Sequence, residues 1–151
     1  MRRLRTGGID CTLDVLGGYE EDYKAKIEQY ESDGWLHYHG YQLDVRPFIA
    51  QSHCFVLPSW HEGMANTNLE CASSGRPIIT SNIHGCKEAV ENGVSGYLCK
   101  KQDVCDLANV MKRFTKLSYD ERKEMGLQSR QRMERLFDKR SVVYKTLNYL
   151  N

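Results

Sequence analysis

Two carboxylates, Glu62 and Glu70, stand with seven residues between them in Pro58-Ser59-Trp60-His61-Glu62-Gly63-Met64-Ala65-Asn66-Thr67-Asn68-Leu69-Glu70. An apolar run, 54–57, precedes this stretch, and a short helical pattern closed by Gly75 and Pro77 follows it. The order reads as strand, loop, helix, with one acid in the loop and the other a turn into the helix. In open α/β sheets ligands bind at this place, beyond the carboxyl end of a strand and before a helix N-terminus. The backbone N–H groups of Gly63, Met64, Ala65 and Asn66 are expected to point forward, unpaired within the helix, as donors for a phosphate. Gly63 also lets a ligand approach the backbone with no side chain in the way. Glu70 is then within reach of a sugar beside that phosphate, and a carboxylate can accept two hydrogen bonds from a vicinal diol.

Plainer roles compete with this chemistry. Thr67-Asn68-Leu69-Glu70 has the form of a capping box, with Thr67 as cap and Glu70 reaching back to the first backbone N–H. Glu62 reads equally as a solvated loop acid, favoured by about 0.3–1 kcal/mol beside a helix N-terminus. Neither role accounts for the whole pattern occurring together.

The elements that must position these residues alternate along the chain. Strands are expected at 12–16, 35–39, 54–57, 77–80 and 96–99. Helices are expected at 20–32, at 44–50 with Asp44 as cap, at 66–74, at 88–92, at 119–137 and at 139–150. Val104, Leu107, Ala108, Met111, Phe114 and Leu117 mark the inward face of one more. Such alternation predicts a doubly wound, Rossmann-like parallel sheet with helices on both faces and extra C-terminal helices. At 151 residues the chain is expected to be one domain, 1–151. A doubly wound sheet begins with a strand and a helix ahead of residue 12, so the first strand is expected to be absent from this stretch.

A net charge of +1 makes no case for nucleic-acid binding. The charge is uneven, however: 112–145 holds 11 Lys/Arg against 5 Asp/Glu, and the remainder holds 10 against 15. A basic third of this kind is either a set of solvated helix faces or a surface for an anionic membrane or lipid phosphate. The six cysteines include no Cys-x-x-Cys pair and sit mostly in or beside apolar runs, as reduced thiols of a cytoplasmic protein do. His84, Cys86, Cys99 and Cys105 lack the spacing of the common zinc sites, and His37 and His39, although on one side of a strand, have no third ligand nearby. No metal site is expected.

With these motifs in hand, the chain resembles the retaining glycosyltransferases of family 4. The likeness rests on Pro58-Ser59-x-x-Glu62-Gly63-x6-Glu70-x4-Gly75-x-Pro77-Ile78. His84-Gly85-Cys86-Lys87-Glu88-Ala89-Val90 and Asn92-Gly93-x-x-Gly96-Tyr97-Leu98 are similar to the next block of that family. Leu13-Asp14-Val15-Leu16-Gly17-Gly18 and His39-Gly40-Tyr41 match its earlier strand ends. Gly75-Arg76-Pro77-Ile78-Ile79 with Gly85-Cys86-Lys87-Glu88 looks most like bacterial capsule and exopolysaccharide enzymes.

The resemblance implies the C-terminal, donor-binding half of a two-domain GT-B hexosyltransferase, with no cofactor and a UDP-sugar as donor. It implies that Glu62, the catalytic residue of the site, sits against the donor sugar hydroxyls and that Glu70 holds the ribose. Met64, Ala65 and Asn66 would take the diphosphate beside Gly63, Gly40 and Tyr41 would flank the base, and Gly17 and Gly18 would line the cleft. The acceptor, a saccharide or an undecaprenyl-linked one, would be met by the N-terminal domain. The enzyme would work in the cytoplasm at the inner face of the membrane. The chain departs from the family in lacking the Arg and Lys that clamp the diphosphate from the first strand and following loop. A nucleotide-sugar-binding fragment without turnover of its own is therefore the alternative function.

Overall fold

The computed structural model describes residues 1–18 and 22–149. The chain divides into two compact units, Met1–Gln51 and Ser52–Asn151.

The first unit runs α1 (Arg2–Thr6), β1 (Leu13–Leu16), α2 (Lys24–Ser32), β2 (Leu36–Gly40) and α3 (Arg46–Gln51). β1 and β2 pair in parallel, Leu13 opposite Leu36 and Val15 opposite Tyr38, with a shift of register before Leu16 meets Gly40. Parallel neighbours need a crossover, which α2 supplies. Leu4, Trp35 and Leu36 are buried, and the Tyr30 ring lies 4.6 Å from that of Trp35. The expected start of α2 at Glu20 and Glu21 falls outside the described residues. Asp44 does sit at the head of α3, where its carboxylate accepts from the Arg46 N–H at 3.0 Å. The Arg46 guanidinium beside it holds the Asp44 carboxyl down at about 2.

The second unit holds β3 (Phe55–Leu57), α4 (Asn66–Ser73), β4 (Ile78–Ser81), a 3-10 turn (Lys87–Ala89), β5 (Gly96–Cys99), α5 (Val104–Thr115), α6 (Tyr119–Leu136) and α7 (Lys139–Tyr149). Its sheet has the order β3-β4-β5, all parallel. β4, the middle strand, is buried along its whole length, as its unbroken apolar start Ile78-Ile79 requires. Ile79, Tyr97, Phe114 and Met125 form the core, packed by Val56, Leu107, Val110, Met111 and Leu117. Asp103 caps α5 by accepting from the Asp106 N–H, and Ser118 with Glu121 forms a full capping box on α6.

The strands pair in parallel throughout, β1-β2 in the first unit and β3-β4-β5 in the second, as the doubly wound reading expects. Three expectations are corrected in detail. The helix expected at 88–92 is a single 3-10 turn: its chain leaves at Val90 in extended conformation, and Glu91 N–H is drawn to the Ser95 hydroxyl at 2.8 Å. Val104 is 65% exposed, since it is the first residue of α5 and precedes the buried stripe. Thr67 is not a helix cap, for reasons that belong to the site below.

α7 keeps Val143, Tyr144 and Leu147 exposed; the Val142 side chain and Leu150 lie outside the described residues. Cys71, Cys86 and Cys99 are buried, and Cys105 is exposed. Burial, with the Glu70 charge second, pushes the Cys71 thiol up to about 12. The folded chain treated with a maleimide near pH 7.5 is therefore expected to be modified at Cys105 first. Cys71, Cys86 and Cys99 should react only after urea is added, read by mass spectrometry of the labelled peptides. Early labelling of Cys71 would contradict this packing.

Candidate donor-binding site

β3 ends at Leu57, and the chain turns through Pro58 and Ser59 to Glu62. Glu62 is half-buried, and its Oε1 accepts a hydrogen bond from Ser59 Oγ at 2.7 Å. A carboxylate held by a short hydroxyl donor has a defined direction. His61 and Trp60 on the same loop are exposed.

The start of α4 is set from outside the helix. Ala65 N–H donates to the Gly85 carbonyl at 2.8 Å, and Ala65 itself, at φ −75 and ψ 82, is the centre of an inverse γ-turn that gives the Asn66 N–H to the Met64 carbonyl at 2.9 Å. Asn68 N–H then returns to the Ala65 carbonyl at 2.9 Å. This makes Ala65 the N-cap, with no side-chain cap, and puts Thr67 already inside the first turn. The expected capping box therefore does not form. Glu70 is exposed, and its carboxylate has no hydrogen-bond or ion-pair partner among the described residues.

Of the four amides expected to be open, Ala65 and Asn66 are engaged within the protein. Gly63 and Met64 have no acceptor among the described residues, and the Thr67 amide, which the sequence reading did not select, joins them. Beneath α4 lies a buried polar chain that apolar patterning could not reveal. Asn68 Nδ2 donates to Thr80 Oγ1 at 3.2 Å, and Thr80 Oγ1 donates to the Leu57 carbonyl at 2.8 Å. It ties the helix start to the ends of β3 and β4. Asn68 Oδ1 is buried without a partner, at a cost of about 1–3 kcal/mol by the general scale for unsatisfied groups.

In the first unit, Gly17, Gly18, Gly40 and Tyr41 gather at the carboxyl ends of β1 and β2. Gly17 N–H donates to the Gly40 carbonyl at 2.8 Å, and the Tyr38 hydroxyl donates to the Gly17 carbonyl at 2.7 Å. Gly17 at φ +112 and Gly40 at φ +62 are backbones that only glycine takes readily. Gly18 is exposed, and Tyr41 is 77% exposed. His39 Nε2 stands 2.7 Å from Asp14 Oδ1 and its ring is 4.7 Å from that of Phe48, so this histidine is bound into its own sheet. His84 pairs with Glu88 at 3.0 Å, and Lys87 is exposed. Among the described residues, no three His, Cys, Asp or Glu side chains group as metal ligands, and no helix is long and apolar enough to cross a membrane.

Parallel strands, crossover helices, glycines at the strand ends of one unit and two acids around a helix start in the other define an α/β protein of the Rossmann-like class. The chain belongs to the family described as "Glycosyl transferases group 1", whose profile matches residues 1–116.

It is 31% identical over 94 residues to the Campylobacter jejuni N,N'-diacetylbacillosaminyl-diphospho-undecaprenol alpha-1,3-N-acetylgalactosaminyltransferase, covering 62% of this chain and 25% of that protein. It is 37% identical over 112 residues to a Mycobacterium tuberculosis glycogen synthase, covering 70% of this chain and 27% of the synthase. Its fold superposes on the crystal structure of Anabaena HepE in complex with UDP with a TM-score of 0.81 at 16% identity, over 93% of this chain and 40% of that one. The chain thus spans about a quarter of the length of the curated relatives it matches.

Proposed function

We propose that this chain is the donor-binding half of a retaining glycosyltransferase that moves a sugar from a UDP-sugar to a saccharide or undecaprenyl-linked acceptor. The observation that carries the reading is the contrast between the two acids. Glu62 is aimed by Ser59, whereas Glu70 is exposed and unpartnered beside a helix start that needs no cap from it. In this reading the Glu62 carboxylate accepts from hydroxyls of the donor sugar and Glu70 accepts from the ribose diol.

The open amides of Gly63, Met64 and Thr67, at the positive end of α4, receive the diphosphate. They stabilise the charge that grows on it as the glycosidic bond breaks. The leaving β-phosphate then assists attack of the acceptor hydroxyl on the same face, so the anomeric configuration is kept. Such an enzyme meets its acceptor through an N-terminal domain and works in the cytoplasm at the inner face of the membrane. A second reading is a nucleotide-sugar-binding chain without turnover of its own.

Calorimetry with UDP and a panel of UDP-sugars on the full-length protein tests the site, and NMR of the anomeric proton in its product tests retention. Saturable binding of UDP, tightened by one sugar, is expected. Glu62→Ala should leave UDP affinity within about threefold and abolish the extra affinity due to the sugar, about 10- to 100-fold for hydrogen bonds to a charged group. Absence of nucleotide binding by the wild-type full-length protein would refute the reading.

A further inference from the structure

We infer that Gly85 is a positioning residue for Glu62, and that the turn 83–86 is the wall against which the sugar-facing loop is set. The inference rests on the reading of Glu62 as the donor-sugar contact.

Gly85 is buried and grips loop 59–65 at two points. Its carbonyl accepts the Ala65 N–H at 2.8 Å. Its Cα face lies so close to the loop backbone that an added Cβ would collide with the Glu62 carbonyl oxygen, and would come within 2.8 Å of the Gly63 carbonyl oxygen and 2.9 Å of the Glu62 carbonyl carbon. The two grips bracket residues 62–65, and Ser59 holds the free end of the Glu62 side chain. Both root and tip of the carboxylate are thereby fixed.

The wall is the stiffer partner. Lys87 N–H donates to the Ile83 carbonyl at 3.0 Å and Cys86 N–H to the same carbonyl at 3.3 Å, closing the turn on itself. Asn82 N–H donates to the Cys99 carbonyl at 2.8 Å, fastening the entry of the turn to the end of β5. Gly85 at φ +83 occupies a backbone region that L side chains rarely adopt, so a methyl there brings strain as well as collision. The loop has few bonds of its own and must yield, by about 1 Å to reach ordinary contact. A displacement of that size at a reacting group can cost about 10²-fold.

The test is the ratio of UDP affinity to affinity for the best-bound UDP-sugar, measured by calorimetry on wild type, Gly85→Ala, Glu62→Ala and the double variant. Gly85→Ala is expected to keep UDP affinity within threefold and to lose the sugar-dependent gain. The double variant should then lose no more than Glu62→Ala alone, because both act on one contact. A Gly85→Ala protein that folds and keeps the sugar-dependent gain, while Glu62→Ala loses it, overturns the inference and leaves the functional reading standing. If Glu62→Ala itself keeps the gain, the reading of Glu62 fails and the inference fails with it.

Should Gly85→Ala not fold, Ala65→Pro, at a φ that proline accepts, replaces the N–H that Gly85 accepts with a ring carbon set against that carbonyl. It is expected to lower the sugar-dependent gain by about threefold or more, a tenfold change being 1.4 kcal/mol. An unchanged gain in that variant would also count against the inference.

Discussion

Glu70→Ala is expected to leave the stability of the chain within about 0.5 kcal/mol of wild type, as for an exposed position that makes no contact. The same substitution is expected to weaken UDP binding about 10- to 100-fold. The first half follows from the geometry of α4. Its N-terminus is closed by Ala65 and Gly85, and the Glu70 carboxylate has no partner among the described residues. A capping glutamate would behave in the opposite way, since removing a cap costs about 0.5–2 kcal/mol. The second half follows from the proposed ribose contact, at about 1.5–3 kcal/mol for hydrogen bonds to a charged acceptor. Urea denaturation and UDP calorimetry on one variant therefore separate the two roles. Lost stability with unchanged UDP affinity would return Glu70 to the helix and remove it from the site.

The capping box also marks a limit of sequence reading. Thr67-x-x-Glu70 and Ser118-x-x-Glu121 carry the same local signal, yet only the second forms a box. At Ser118 nothing outside the segment among the described residues competes for the first amides of α6. At α4 the carbonyl of Gly85, twenty residues away in the chain, takes the Ala65 N–H and starts the helix earlier. A tetrapeptide cannot announce such a partner.

Strands were legible because each is a short run bounded at one end by Gly or Pro, and all five lie within a residue or so of their expected places. The pairing of strands was less legible. Periodicity assigns a residue to a strand and a face, but the order β3-β4-β5 and its register depend on contacts remote in sequence. The acids at the end of β3 were legible from spacing alone. The polar chain Asn68–Thr80–Leu57 beneath them was not, because its donors are buried among residues that pattern as core.

Gly126→Ala is expected to destabilise the chain by about 2 kcal/mol, although alanine is the better helix former. Gly126 lies within α6, where exchanging glycine for alanine would normally add about 1 kcal/mol. Here α6 crosses the end of α4 with backbone against backbone. A Cβ on Gly126 would run into the Gly75 carbonyl oxygen, with the Gly75 carbonyl carbon at 3.3 Å and Pro77 Cδ at 3.5 Å. That carbonyl cannot easily retreat. Gly75 closes α4 at φ +74, its N–H bonded to the Ala72 carbonyl at 2.9 Å, and Arg76 N–H reaches the Cys71 carbonyl at 3.0 Å. Pro77 in turn accepts the Phe55 N–H at 3.0 Å, which ties the corner to β3.

Overpacking against fixed backbone costs about 1–3 kcal/mol and sometimes more, so the collision outweighs the gain in propensity. Yet Gly126 meets α4 at its C-terminal end, about 12 Å along the helix from the open amides at 1.5 Å per residue. The helix start is held separately by Gly85 and by Asn68 on Thr80. The folded fraction of Gly126→Ala should therefore bind UDP as wild type does, the reverse of the outcome at Glu70. A Gly126→Ala chain as stable as wild type in urea would mean that α6 does not rest on Gly75. A stable fold with weakened UDP binding would mean that the two ends of α4 are not independent.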